Sequence, residues 1–162
     1  MNEKEMNPSP KEPALPPEGS LILSSSPHIR TEDSTHKIML LVLLTLVPAV
    51  LASLWFFGWN ALRVVVFCMA FCALFEYLWC LIAKSRSTLG DLSALVTGLI
   101  LALNVSPSTP WWLCLTGAFF AIIIAKQVFG GLGQNPFNPA AVARVAMLVG
   151  ATGPMTNWMN PA

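Results

Sequence analysis

Charge is what this sequence has least of. Only 10% of its 162 residues are Asp, Glu, Lys or Arg, where a soluble domain carries about 25%. The deficit argues against a water-soluble core and for a lipid environment. A net charge of +1 leaves no broad electrostatic field, so nucleic acid is not expected as a partner. The four cysteines, Cys68, Cys72, Cys80 and Cys114, all lie within apolar runs. That is a poor place for a disulfide framework, no zinc-finger spacing is present, and no metal site is assigned. They read as small apolar residues. A secretory signal is also missing. Residues 1–20, MNEKEMNPSPKEPALPPEGS, are polar and proline-rich with no apolar core. Six of the eight acids and four of the nine basic residues fall before residue 38. Residues 1–36 are therefore expected to be a disordered tail and residues 37–162 a transmembrane domain.

What the chain has in abundance is apolar surface: 55% hydrophobic residues and a mean hydropathy of +0.64. Residues 38–57 form an uncharged run of the length needed to cross a bilayer, about 20 residues, with Pro48 inside it and Trp55 and Trp59 at its exit. Residues 61–83 give a second span. Arg63 can snorkel to the near surface, but Glu76 lies well inside, where a carboxylate is costly. Cys68, Cys72, Glu76 and Cys80 recur every fourth residue and share one helix face. A buried polar face packed on a partner helix is the reading preferred over a metal site.

Residues 92–105 are too short for a full crossing. Ala94, Gly98 and Ala102 make a small-residue stripe that lets backbones approach, beside a polar face of Ser93, Thr97 and Asn104. Residues 111–129 open on paired tryptophans and give a further span, with Lys126 near its end, and 139–152 form a second short run. The expected fold is an all-α integral membrane protein, a multispan helical bundle with short or broken helices. Arg30, Lys37, Lys84 and Arg86 flank alternate loops, so the positive-inside rule predicts a cytoplasmic N-terminus.

Between the apolar runs lies FGGLGQNPFNPAAVARV, Phe129 to Val145. Non-helical backbone at membrane depth persists only when buried in protein or lining a cavity. Gly130, Gly131 and Gly133 give conformational freedom. Asn138 can cap a helix that Pro139 begins, and such a start presents free N–H groups to an anion or an electron-rich ring. Asn135 and Asn138 offer donors and an acceptor to a ligand edge. Two interrupted segments are also the usual pointer to a binding site in transporter-like folds. A tight interhelical loop without ligand is the plain alternative. The Asn138-Pro139-Ala140 triplet also resembles the half-helix signature of aquaporins, of which only one copy is present.

SSSPHIR (24–30), LWFFGWN (54–60), GDLSALVTGLILAL (90–103) and AIIIAKQVFGGLGQNPFNPA (121–140), with a weaker MTNW (155–158), resemble the RnfD family of the Rnf electron-transport complex and, more distantly, NqrB. The resemblance implies a urea-transporter-like architecture in the bacterial inner membrane. It implies a subunit of a complex that moves electrons between ferredoxin and NAD and couples this to Na+ or H+ transport. The other Rnf subunits and membrane lipid are the implied partners. It also implies flavin, as riboflavin or FMN. The family motif falls on Gly130, Gly131, Gly133, Asn135, Asn138 and Pro139, with flavin contact carried onto the two asparagines and close backbone approach onto the glycines. The family's covalent FMN sits on a threonine that lies beyond Ala162. Thr152, in Gly150-Ala151-Thr152, is read as a helix-end residue, so a covalent FMN is not expected here. Where the family often has Met-x-Gly-Tyr, this chain has Ala141-Val142-Ala143-Arg144, and Arg144 is a candidate partner of Glu76 or of a flavin. Reducing a buried flavin adds negative charge and draws in a cation. Glu76, Asp91, Thr97 and Asn104 are the candidate ion-pathway groups. The alternatives are a truncated scaffold without redox activity, or a passive channel of aquaporin- or urea-transporter-like type.

Overall fold

The structure is a computed structural model that describes residues 34–83, 89–158 and 160. Most of the expected tail, the SSSPHIR block and the orienting residues Arg30, Lys84 and Arg86 lie outside the described residues. Among the described residues all regular elements are helical: α1 Thr35–Phe57, α2 Trp59–Ala83, α3 Ser93–Leu103, α4 Trp111–Phe119, α5 Pro139–Gly150 and α6 Thr152–Thr156. This is an all-α membrane protein. Its two long helices, of 23 and 25 residues, reach about 35 Å at 1.5 Å per residue, enough to cross a hydrocarbon core.

Local chemistry sets the boundaries. The Ser34 side chain accepts a 3.3 Å hydrogen bond from the Lys37 N–H, so α1 starts at Thr35, two residues before the predicted domain edge at 37. Gly58, at φ +60, ends α1 with a 2.8 Å bond from its N–H to the Leu54 carbonyl and turns the chain straight into α2. The predicted span 111–129 divides. Its first half is α4, and it continues without a break as a π-helical segment, Phe120–Gln127. Wide i→i+5 bonds, such as Val128 N–H to Ile123 O at 3.0 Å and Gly131 N–H to Lys126 O at 3.0 Å, close it. The run 139–152 also divides: α5 stops at Gly150, and Thr152 opens α6 instead of closing the segment before it.

The helices alternate in direction. One end gathers the end of α1, the start of α2, the end of α3 and Trp158 around a small cavity of about 160 Å³. Exposed Trp55, Trp59, Trp111, Trp112 and Trp158 all belong to this tryptophan end, as interfacial aromatics should. The opposite end gathers Met39 of α1, Ser93 of α3, Lys126 of the π segment and Pro139 of α5.

α1 buries none of its residues, while α3 buries most of its own. The small-residue stripe explains why α3 is interior. A Cβ on Gly98 would lie 2.8 Å from Met69 Cα and 2.9 Å from the Cys68 carbonyl oxygen, so α2 and α3 touch backbone to backbone. Gly117 gives Met147 of α5 the same kind of access to α4, since a Cβ there would lie 2.6 Å from the Met147 sulfur. Cys68, Leu99, Leu101, Leu113, Cys114, Ala143 and Met147 join these contacts into one core.

Candidate functional site

The cysteine-glutamate stripe of α2 is its buried face: Cys68, Cys72 and Glu76 are all buried, and Cys80 is half-buried. A carboxylate at that depth needs a counter-charge, and Lys126 supplies it. Lys126 Nζ donates to Glu76 Oε1 and Oε2, both at 2.9 Å, and to Ser93 Oγ at 2.7 Å. The exposures of Glu76, Lys126 and Ser93 are 0%, 2% and 3%, so α2, α3 and the π segment are tied by a fully desolvated ion pair. Ser93 reaches it because Leu92, in the left-handed region at φ +58, turns the chain abruptly into α3.

Beside this pair lies a cavity of about 410 Å³. Ser93, Thr97 and Lys126 form one wall, and Asn135, Asn138 and Pro139 form the other. Pro139 shares the space with Thr97 and Ile100, one to two turns into α3. α5 therefore begins inside the bundle and aims its N-terminus at the cavity. Asn138 caps it, its Oδ1 accepting from the Ala140 N–H at 3.0 Å. Asn135 Oδ1 is buried with no hydrogen-bond partner, and so is Gln127 Nε2 at the loop's start. A wider apolar groove of about 590 Å³ shares Phe137 and Asn138 with this cavity and is lined by Phe120, Ile124 and Val145.

The three motif glycines do not line the cavity. They shape the loop instead, at φ +106, +94 and +86 for Gly130, Gly131 and Gly133, values that a residue with a Cβ adopts only under strain. The four ion-pathway candidates do not converge on one point. Thr97 lines the cavity, and Glu76 reaches its wall through Lys126. The Thr97 hydroxyl is already spent on the Ser93 carbonyl at 2.9 Å. Asp91 is half-buried in a short 3₁₀ turn ahead of Ser93. Asn104 caps the other end of α3, about 16 Å from Ser93 at 1.5 Å per residue. There its Oδ1 accepts from Arg144 at 3.0 Å. Arg144 thus pairs with Asn104, and the partner of Glu76 is Lys126. Along the sequence Lys126 looks like a span-end charge. The partial signal in the sequence is that Glu76, a lone acid deep in an apolar run, demands a base, but Lys126 and Arg144 both lie in apolar runs and either could answer it.

A helical membrane bundle with a short helix aimed at a cavity lined by apolar residues and a few polar groups is the class this geometry defines. The chain belongs to the NQR2, RnfD, RnfE family, whose model matches residues 22–162. It is 46% identical over 141 residues to proteins from Escherichia coli O1:K1 / APEC and from Escherichia coli (strain K12 / DH10B), each named as the D component of an ion-translocating oxidoreductase complex. The alignments cover 86% of this chain and 40% of each relative, so the chain spans less than half the length of the relatives it matches.

Proposed function

We propose that this chain is part of a membrane subunit of a bacterial ion-translocating electron-transport complex, and that its cavity holds a flavin noncovalently. The observation that carries the reading is the cavity itself. At about 410 Å³ it falls in the range of small-molecule sites, roughly 300–1,000 Å³. Its lining is mostly apolar with a few placed polar groups, as a flat aromatic ring requires. Asn135 Oδ1, buried without a partner, can accept the ring's imide N–H. The α5 N-terminus and Lys126 favour the electron-rich side of the ring. The family relatives are named for an ion-translocating oxidoreductase, which is the context in which a bound flavin supplies electron transfer. Within that context Asn135 and Asn138 would orient the ring, Val96, Ile100 and Phe137 would supply its apolar contacts, and Lys126 would stand beside it. Lys126, held by Glu76, would be the residue that balances charge beside the ring, with Na+ or H+ as the expected transported ion. The other subunits of such a complex are the expected partners. The tryptophan end faces away from the cytoplasm in the inner membrane, which leaves the cavity and the N-terminus on the cytoplasmic side.

The test is intact mass spectrometry and acid extraction of the protein purified from its native membranes with its accompanying subunits. Riboflavin or FMN released in near-stoichiometric amount, and depleted by Asn135→Leu, supports the reading. A wild-type protein that releases none returns the chain to a scaffold or a passive channel. A covalent adduct on this stretch of chain would contradict the reading of Thr152, whose hydroxyl donates to the Leu148 carbonyl at 2.8 Å.

A further inference from the structure

Among the described residues that line the 410 Å³ cavity, Lys126 alone is charged. Its ammonium has three hydrogens, and all are placed: two on the Glu76 carboxylate and one on Ser93 Oγ. Ser93 lines the cavity as well, whereas Glu76 does not. The pair is therefore polarised, with its positive end at the cavity wall and its negative end behind it in α2. Both ends are desolvated, so their field is screened far less than at a surface.

We propose that Lys126 biases this cavity toward the negatively charged form of its occupant, and that Glu76 is a positioning residue that sets how much of the lysine's charge the cavity feels. A buried ion pair whose only task is to hold helices together would act on stability and leave the occupant's charge preference alone. The proposal rests on the flavin reading above, and it adds a sign to it. Removing the carboxylate charge while keeping the lysine exposes the cavity to more positive charge. Removing both charges leaves it with none.

The experiment compares the wild-type complex with Glu76→Gln and with the double variant Lys126→Gln/Glu76→Gln, each purified with its noncovalent flavin. The flavin is titrated spectroscopically, dithionite supplying two electrons and water one proton to give the anionic reduced ring. Glu76→Gln is expected to raise the reduction potential and the double variant to lower it. Each change should correspond to at least a tenfold change in the ratio of affinities for the reduced and oxidised forms, about 30 mV for a two-electron couple. The double variant leaves no unpaired charge, so it keeps the test open if a single change impairs folding. Each variant carries its own signed expectation and decides alone if the other is lost. Flavin retained at an unchanged potential in either variant overturns the proposal and leaves the flavin reading standing. A wild-type protein without flavin overturns both.

Discussion

The two ends of the bundle both carry buried polar side chains and place them differently. At the tryptophan end two serines close on the chain itself, although Thr109 Oγ1 beside them is buried without a partner. Ser106 Oγ and Ser108 Oγ both donate to the Asn157 carbonyl, at 2.8 and 3.0 Å. The cavity there is small, about 160 Å³, and walled by Val64, Val65, Ala102 and Val105 among others. At the other end the polar groups face a space. A buried ion pair, a capped helix start and an unpartnered asparagine oxygen border a cavity more than twice as large. The first arrangement fastens the chain where α6 returns to the bundle. The second sets its unpartnered oxygen on a residue that lines a cavity, whereas Thr109 lines none of the described cavities, and that is what separates a site from a joint.

The largest expected break in this contrast comes from Lys126→Met. It strands the Glu76 carboxylate in the core and should cost about 3–5 kcal/mol, read as a large drop in thermal midpoint in detergent. Arg63→Met, an exposed cation near the tryptophan end, should move stability by no more than about 0.5 kcal/mol. A comparable loss for both would mean that the ion pair is not desolvated. Next is Gly98→Ala, which sets a methyl against the α2 backbone between the two ends and should cost about 1–3 kcal/mol. Gly150→Ala, with open space at the Cβ, serves as its control, and equal melting of the two variants would deny the close approach. Asn138→Ala should lose about 1 kcal/mol of helix capping together with bound flavin, while Asn138→Asp keeps the cap. Flavin content tracking the cap in both variants would make Asn138 a structural residue only. The smallest effect on the site belongs to Ser106→Ala, which should cost about 0.5–1.5 kcal/mol of stability and leave flavin content unchanged. A loss of flavin there would couple the two ends and erase the distinction between them.

The long apolar runs, the interior placement of α3 and the cap-and-proline start of α5 were legible because each depends on local pattern. Twenty uncharged residues, a small residue every fourth position and an Asn-Pro pair carry their physics within a few residues. The π-helical turn after Phe119 was not legible. Nothing in FAIIIAKQ distinguishes it from an ordinary helix, and its wide bonds run on into the loop, where the Gly131 N–H reaches the Lys126 carbonyl. The role of the glycines was half legible. Their sequence demanded an unusual loop, but only the fold shows that they bend it and leave the cavity wall to Asn135, Asn138 and Pro139.

The sequence by itself determined that this chain lives in a membrane, where its two long helices run, and that residues 129–139 break the helical pattern for a reason. Which charge meets which was a tertiary decision. Glu76 and Lys126 lie 50 residues apart, and Arg144 carries the same sign as Lys126, so no local rule could choose between them. The choice fell to geometry. The backbone contact at Gly98 draws α3 against α2, the left-handed turn at Leu92 sets Ser93 beside Glu76, and the π segment carries Lys126 to both. Arg144 is held at the far end of α3 by Asn104. In a low-dielectric interior a pairing made at 2.9 Å outweighs any made at a distance.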